Sequence, residues 1–257
     1  MSEEKTEQVF TKMPEIKDAS KPKIYMDANV GIHNQDLEAS RDRLIQGNTY
    51  KDMSTICIVP TRGMISARVV QNWMGLMTPM NQKFFRMFIS GMEVSLAYNS
   101  AIESILANPE LSQFKYIYTL EEDNLPPPDC LLKLLKHMDK YDVVGSLYWT
   151  KFEQGQPMVY GDVNVHPKNF IPQVPIPGAL MECNGLGMGS TCFSLDIFKK
   201  MPKPWFKTVQ NYTPGVGSSM YTQDLYFFEQ AAKYGYRFAC DCDCLTGHYD
   251  YASDTVW

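Results

Sequence analysis

Two hydrophobic periods alternate along the chain from about residue 54 onward. Short apolar, β-branched or aromatic runs predict buried strands, and stretches whose apolar residues recur every three or four positions predict helices. Strands and helices that alternate in this way favour an α/β fold, in which a mostly parallel sheet is sandwiched by helices. The predicted strands are residues 54–59, 84–89, 114–120, 141–147 and 240–244, and the predicted helices are residues 36–46, 65–76, 94–105, 129–138 and 222–235.

One predicted strand ends in three consecutive acids, Glu121, Glu122 and Asp123, and residues 126–128 are prolines that cannot continue a sheet ladder. Ligands of open α/β sheets bind outside the carboxyl ends of the strands, and clustered carboxylates repel one another unless a cation neutralises them. Alternate residues of a strand share a face, so Glu121 and Asp123 are expected to converge on a divalent metal ion while Glu122 points elsewhere as a solvated neighbour. A solvated acidic turn is the alternative interpretation.

Asp224 lies in the first turn of the helix that begins near Thr222. An acid at this position commonly does no more than complement the helix dipole. The alternative is a general base, because a rigid helix start can hold a carboxylate where it accepts a proton from an incoming hydroxyl. The helical period predicts that Leu225, Phe228 and Ala232 face the core.

Three cysteines, Cys240, Cys242 and Cys244, alternate with two aspartates, so a strand would place all three thiols on one face. Structural zinc usually has four ligands, and small buried cysteines are ordinary core residues, which favours packing over metal binding. His248 follows Gly247, and this glycine permits a sharp turn that brings the imidazole toward a cleft.

Residues 153–191 are rich in proline and glycine and predict loops on the substrate side of the sheet. Their GLGMGS stretch is not a dinucleotide-binding loop, because no strand precedes it and no long helix follows it. Glycines lack a Cβ, so Gly187 and Gly189 allow the backbone to approach a ligand closely. Aromatic side chains here and in residues 205–221 predict an acceptor-binding wall, with Trp205, Phe206, Tyr212 and Tyr221 as its members.

Composition limits the functional classes. The chain has 257 residues, 44% of them hydrophobic, which suits one domain with a sizeable core, and its net charge of -5 argues against a broad electropositive face. Seven cysteines without a Cys-x-x-Cys pair favour a reducing compartment. Residues 1–22 are charged and aperiodic and predict a mobile N-terminal arm before a domain at residues 23–257. Neither a signal peptide nor a run of about 18 apolar residues is evident, so a soluble cytoplasmic protein without a membrane span is expected.

Six motifs follow one another along residues 54 to 250, namely PTRG, AYN, EEDNLPPP, GLGMGS, TQDLYFFEQAAKYGYRF and GHYD. Their order resembles that of nucleotide-sugar glycosyltransferases with the GT-A fold, and it is most similar to the family-two-like branch. The resemblance implies a GT-A-like domain with acceptor-side loops. It also implies an acidic motif that binds Mn²⁺ or Mg²⁺ together with the diphosphate of the donor.

By position in these motifs, Asp123 resembles the direct metal ligand, Glu121 an acid that assists the metal, and His248 a late metal ligand. Asp224 resembles the base that deprotonates the acceptor. One departure is visible at residues 89–91, where such enzymes often carry an aspartate for the nucleotide. The donor-binding residues that the resemblance implies are Thr61, Arg62, Tyr98, Asn99, Glu121, Glu122, Gly187 and Gly189.

The resemblance implies a metal-dependent transfer of a sugar from a nucleoside-diphosphate sugar to an acceptor hydroxyl, with inversion. A glycan, a protein, a small molecule and a modified nucleic-acid base all stay open as acceptors. Two other functions also stay open. One is a metal-dependent nucleotidyltransferase, and the other is a non-catalytic module that binds sugar nucleotides.

Overall fold

The computed structural model describes residues 23–26, 35–47, 50–215 and 217–257. The strands in chain order are β1 (Lys23–Met26), β2 (Thr55–Thr61), β3 (Phe84–Ser90), β4 (Tyr116–Leu120), β5 (Asn124–Leu125), β6 (Val143–Leu147), β7 (Val159–Tyr160), β8 (Leu180–Cys183), β9 (Gly185–Leu186), β10 (Ser190–Ser194), β11 (Val209–Thr213), β12 (Gly217–Tyr221), β13 (Phe238–Leu245), β14 (Gly247–Asp250) and β15 (Thr255–Val256). The helices are α1 (Gln35–Gln46), α2 (Ala67–Met74), α3 (Val94–Ala107), α4 (Cys130–His137), α5 (Leu195–Lys200) and α6 (Gln223–Lys233). The predicted N-terminal arm, residues 1–22, lies outside the described residues.

A mixed eight-stranded sheet organises the fold, with the strand order β1-β3-β2-β4-β10-β6-β13-β8. Strands β2, β3, β4, β6 and β13 run in one direction, and β1, β8 and β10 run in the other. The mostly parallel α/β class predicted from the sequence is therefore confirmed. In the part of the chain that the structure describes, no helix has the length and apolar character that a membrane crossing requires.

The central strand β10 is the main difference from the sequence prediction. It lies antiparallel between β4 and β6, although it begins at Ser190, inside residues 153–191, which were predicted to be loops. That prediction is wrong for β8 and β10. The sequence of β10, STCFS, is short. Its first four residues are all buried, so it does not show the alternation of polar and apolar residues that marks a half-buried strand. Its position depends on pairing with strands that are distant in sequence.

Strand β2 also differs from the prediction, because it continues through Pro60 to Thr61 instead of ending before the proline. Its pairing with β3 extends to Thr61, but its pairing with β4 is registered only as far as Ile58 opposite Thr119. Proline cannot donate a hydrogen bond to a neighbouring strand. Pro60 is tolerated because β2 is no longer paired with β4 beyond Ile58.

Two hydrophobic clusters cover the two faces of the sheet. Helices α3, α5 and α6 contribute to one cluster, and α2 and α4 contribute to the other. The buried face of α6 is offset from the predicted one. Its buried residues are Asp224, Phe227, Phe228 and Ala231, which follow the i, i+3, i+4, i+7 spacing of one helical face.

The cysteine row of β13 is divided between these clusters. Cys240 and Cys242 pack in the cluster that contains Phe227, whereas Cys244 packs in the other cluster. The reason is a register shift in the pairing of β13 with β6 after Asp241, which breaks the strict alternation of faces. The prediction that the thiols are core residues is confirmed, and the prediction that they share one face is wrong.

Phe227 is the centre of the aromatic packing that fixes α6. It is fully buried, and its ring lies 5.0 Å from Phe206, 5.2 Å from Phe228 and 5.3 Å from Phe193. We expect Phe227→Ala to lower the free energy of unfolding by about 3–5 kcal/mol, because it removes a large buried side chain and leaves a cavity. The matched control is Phe152→Ala, since Phe152 is 69% exposed. Urea unfolding of both variants tests this, and equal losses in the two would contradict it.

Candidate active site

The three consecutive acids lie where β4 ends, at the same edge of the sheet as the end of the parallel strand β2. The backbone turns immediately after Leu120. Glu121 N donates to the Gly189 carbonyl at 3.1 Å, and Asn124 N donates to the Glu121 carbonyl at 3.0 Å. Because residues 121–123 form a turn and not a strand, their side chains do not alternate between two faces, and each acid acquires its own partners.

Glu122 points to the end of β2. Its carboxylate accepts hydrogen bonds from Thr61 Oγ1 at 2.6 Å, from Arg62 N at 2.9 Å and from Arg62 Nε. Tyr251 Oη donates to the Glu122 carbonyl at 2.7 Å. Glu122 is 7% exposed, so the prediction of a solvated neighbour is wrong. Its contacts make it the residue that orients Thr61 and Arg62, and its own role as a donor contact stays a prediction.

Asp123 forms the charged centre of the site. Its Oδ2 atom lies 2.6 Å from Lys151 Nζ and 3.4 Å from His248 Nε2. Burial opposes ionisation of this carboxyl, but the hydrogen bonds from His248 and Lys151 outweigh it, and the pKa of Asp123 is lowered. Asp123 is therefore held as a carboxylate in contact with His248, the other metal ligand that the resemblance implies, and with Lys151, which the sequence analysis missed. That Asp123 and His248 bind a metal stays a prediction.

The orientation of His248 is set by its other ring nitrogen. Nδ1 lies 2.8 Å from the Trp149 carbonyl. A carbonyl can only accept, so Nδ1 carries the proton and Nε2 faces Asp123. The strand β14, which carries His248, is fixed by pairing with β5, where His248 lies opposite Asn124. This arrangement, a histidine whose second nitrogen is oriented by a carbonyl, is the usual one for a metal ligand.

The ionisation of Glu121 is altered by its surroundings. Tyr98 Oη, itself fully buried, lies 3.3 Å from Glu121 Oε1. Burial of the carboxyl, followed by repulsion from Asp123 and Asp224, raises the pKa of Glu121 to about 8. Glu121 is thus electrostatically coupled to Asp123 and Asp224. A cation nearby would favour the ionised form of Glu121.

Asp224 occupies the predicted position in the first turn of α6 and is only 6% exposed. Burial raises the pKa of Asp224, although hydrogen bonds from Thr222 and from the backbone of Leu225 act in the opposite direction. Its charge contributes to the raised pKa of Glu121. Asp224 is therefore electrostatically coupled to Glu121, and a carboxylate whose pKa is raised is better suited to accept a proton than an ordinary one.

The glycines approach protein side chains and not an open cavity. A Cβ at Gly187 would lie 2.1 Å from Tyr148 Oη, and a Cβ at Gly189 would lie 2.5 Å from Asn124 Oδ1. Both glycines are buried. Gly189 N also donates to Tyr148 Oη at 2.9 Å. The close packing at Gly187 and Gly189 is against protein side chains behind the acidic turn, and donor binding by these two glycines stays a prediction.

The side chain of Asn99 likewise forms hydrogen bonds within the protein. Its amide donates to the Phe206 carbonyl at 2.7 Å and accepts from Trp205 N at 3.0 Å. Trp205 and Phe206 are buried in the core, so they do not form the predicted acceptor wall. Tyr221 is partly buried and donates to the Leu225 carbonyl at 3.1 Å. The side chain of Tyr212 lies outside the described ones.

A cavity of about 260 Å³ opens beside the acids, lined by Pro60, Thr61, Arg62, Met92, Val94, Glu121, Glu122 and Asp123. Met92 and Val94 follow the end of β3, where the sequence lacks an aspartate. A second cavity of about 450 Å³ adjoins it on the far side of Arg62, between residues 64–66 and Tyr251. Thr61, Arg62 and Glu121 thus share one cavity, whereas Tyr98 reaches it only through its contact with Glu121.

The predicted three-residue metal set is not assembled. In the described ranges, no group of three or more His, Cys, Asp and Glu side chains is arranged to hold a metal ion. Asp123 and His248 do meet, but Glu121 pairs with Tyr98 instead of joining them. Two protein ligands still fit Mg²⁺ or Mn²⁺, because such ions commonly take their other ligands from substrate phosphates and water. The buried amide of Asn124, opposite His248, has no hydrogen-bond partner in the described part of the chain, as is common beside water or an ion.

Lys151 and Tyr251 are the functional candidates that sequence reasoning missed. Lys151 lies just beyond the carboxyl end of β6, which runs parallel to β13 at the same edge of the sheet. The rule that ligands bind outside strand ends, applied to the predicted strand 141–147, would have pointed to it. Tyr251 carried no comparable signal, because its contact with Glu122 depends on how the C-terminal segment folds back.

No protein-family model matches the sequence, and no curated protein matches it. Among solved structures, A197 from STIV is similar, with a TM-score of 0.55 and 19% identity, over 79% of this chain and 93% of that one. GalNAc-T7, solved with UDP, GalNAc and Mn²⁺, is similar with a TM-score of 0.51 and 9% identity. The match covers 77% of this chain and 44% of GalNAc-T7. At these identities the comparison shows the fold alone, and that fold is GT-A-like.

The raised pKa of Glu121 predicts a pH-dependent stability. Glu121 has a pKa of about 8 in the folded protein and an ordinary pKa of about 4.3 when unfolded, so its stabilising contribution is present below pH 4 and is lost as the pH rises to about 8. Glutamine does not titrate. In metal-free buffer we expect the Tm of Glu121→Gln minus the Tm of the wild type to increase by at least about 2–4 °C when the pH is raised from 5 to 8. Parallel Tm curves, or the same gain in the exposed control Glu110→Gln, would contradict this.

Proposed function

We propose that this protein is a metal-dependent glycosyltransferase that moves a sugar from a nucleoside-diphosphate sugar to an acceptor hydroxyl with inversion. The observation that carries the proposal is the contact of Asp123 with His248 at the carboxyl edge of the sheet, beside an acid-lined cavity. The GT-A-like fold supports it, since GalNAc-T7, a glycosyltransferase of similar fold, was solved with UDP, GalNAc and Mn²⁺.

The donor would occupy the cavity lined by Thr61, Arg62 and the acids. Glu122 holds Arg62 through the backbone nitrogen and Nε, while 77% of the Arg62 side chain stays exposed. The outer edge of the guanidinium is thus available to a phosphate, for which its planar fork is well suited. Glu122 acts here as a positioning residue, since its carboxylate directs Arg62 toward the donor.

Asp123 and His248 would hold a divalent cation, which would supply the positive charge that neutralises the leaving diphosphate. The protein provides the orientation of both ligands. The Trp149 carbonyl fixes the ring of His248, and the backbone of Asp123 is fixed by Tyr249 N, which donates to its carbonyl at 2.7 Å.

Asp224 is the proposed base. It accepts the proton of the acceptor hydroxyl while that oxygen attacks the sugar, which yields inversion in a single displacement. The start of α6 holds it in place, because Leu225 N donates to Asp224 Oδ1 at 2.9 Å and the aromatic core fixes the helix. Burial of Asp224 raises its pKa and so increases its basicity.

Asp123→Asn tests the metal assignment. We expect the wild type to gain thermal stability from a matching sugar nucleotide only in the presence of Mn²⁺ or Mg²⁺, because ligands that bind the folded state raise its Tm. Asp123→Asn should lose this gain and metal-stimulated turnover. A panel of sugar nucleotides with metal or EDTA, read by thermal shift, identifies the donor as well. The control is Asp139→Asn, an exposed acid paired with Lys51. Full metal-stimulated activity in Asp123→Asn would reject the assignment.

Asp224→Asn tests the base. Donor binding should survive, while transfer to the acceptor falls by about 10²- to 10⁴-fold, the usual contribution of a general base. Asp196→Asn is the matched control, because Asp196 is also an acid in a first helical turn but pairs with Lys199 at the surface. Unchanged transfer in Asp224→Asn would exclude the role. In the wild type, a phosphodiester or pyrophosphate product would indicate a nucleotidyltransferase, and binding without transfer or hydrolysis would indicate a binding module.

A further inference from the structure

We propose that Lys151 is a donor-responsive counter-ion of the site. Its ammonium holds Asp123 while no donor is bound, and it releases this carboxylate to a divalent cation when a nucleoside diphosphate offers the ammonium a new partner. The inference rests on the function proposed above, and it adds a residue that couples metal binding to donor binding.

Two groups converge on a single oxygen atom. Lys151 Nζ lies 2.6 Å from Asp123 Oδ2, and His248 Nε2 lies 3.4 Å from the same atom. The ion pair is shielded, with 19% of the Lys151 side chain and 17% of the Asp123 side chain exposed. Fully exposed ion pairs are weak and readily exchanged, whereas shielded ones hold their partners. The ammonium therefore competes directly with any metal ion for this oxygen.

The segment that carries Lys151 also orients His248, because the Trp149 carbonyl accepts from His248 Nδ1. The next residue, Thr150, is joined to Gln156 by two hydrogen bonds. Its N–H donates to the Gln156 carbonyl at 2.9 Å, and its Oγ1 accepts from Gln156 N at 2.8 Å. Lysine carries its charge on a flexible four-carbon stem. Lys151 can thus change partner while the backbone that orients His248 stays in place.

The ammonium interacts electrostatically with acids other than Asp123. Hydrogen bonds from Ser253 and from the backbone lower the pKa of Asp250, and the charge of Lys151 adds to the effect. The charge of Lys151 therefore acts on Asp250 as well as on Asp123. Glu121 and Asp123 both line the cavity assigned to the donor. A diphosphate there carries more negative charge than the single carboxylate of Asp123, and charge-assisted hydrogen bonds to phosphate are strong.

Competition for Asp123 has a thermodynamic consequence. Metal alone must displace the ammonium and binds weakly, whereas a nucleoside diphosphate that accepts the ammonium relieves this competition and tightens metal binding. Linkage is reciprocal, so the metal tightens nucleotide binding by the same factor. A site without the ammonium would bind metal more tightly by itself and would show a smaller response to nucleotide.

The experiment is a Mn²⁺ titration of the full chain, followed by the EPR signal of free Mn²⁺, with and without UDP as the probe. Lys151→Met removes the charge and keeps most of the stem. We expect the Kd for Mn²⁺ alone to fall by about 10-fold, and the tightening produced by UDP to shrink by a similar factor, within the usual range of coupling between sites. Lys133→Met is the matched control, because Lys133 pairs with Asp129 and Asp243 away from the cavity.

Lys151→Gln serves as a second variant if the methionine variant melts early, and Lys151→Met combined with Asp123→Asn tests the place of binding. Mn²⁺ binding that is tighter in the Lys151 variants and loses this gain in the double variant supports the proposal. If no sugar nucleotide is turned over in that case, the proposed function alone fails. Unchanged or weaker Mn²⁺ binding in both Lys151 variants, with native melting curves, overturns the proposal and leaves the proposed function intact. Absence of Mn²⁺ binding in every variant overturns both.

Discussion

Three adjacent carboxylates share the end of one buried strand, and the site depends on how their mutual repulsion is relieved. Each acid is stabilised by a different part of the chain. Glu121 pairs with Tyr98 of α3, Glu122 with the end of β2, and Asp123 with a lysine and a histidine. Burying like charges together is costly unless each is paired or neutralised. The turn after Leu120 makes this possible, because it gives each of the three side chains its own hydrogen-bond partners.

The C-terminal segment is the element that closes this arrangement. β14 pairs with β5 directly after the acids, Tyr249 N donates to the Asp123 carbonyl, and Tyr251 Oη donates to the Glu122 carbonyl. Further along, Asp254 pairs with Arg68 of α2 at 3.1 Å. Residues at the end of the chain therefore position both the metal-ligand candidates and the donor-facing loop. A change at Tyr249, Tyr251 or Asp254 would alter the site without touching the residues that carry the chemistry.

Packing and chemistry are also joined in α6. The helix presents two buried phenylalanines and one buried acid on the same face, so the aromatic cluster that holds Phe227 and Phe228 in place also fixes Asp224. A carboxylate on such a face keeps its position but loses hydration, which is the cause of its raised pKa. Rigidity and basicity thus have one origin, the burial of the first turn of the helix.

The sequence by itself determined the α/β class, the order of most described helices and of the five sheet strands that run in one direction, and the place of the acidic turn, because these depend on local periodicity. It also placed Asp224 at a helix start and His248 after a glycine. Only the tertiary structure decided which groups meet. Thr61 is 61 residues from Glu122 in the sequence, and Tyr251 is 129 residues from it. Lys151 and the antiparallel strand β10 depend on the same kind of long-range contact, and local patterns carry no information about which distant partner a side chain or strand will find.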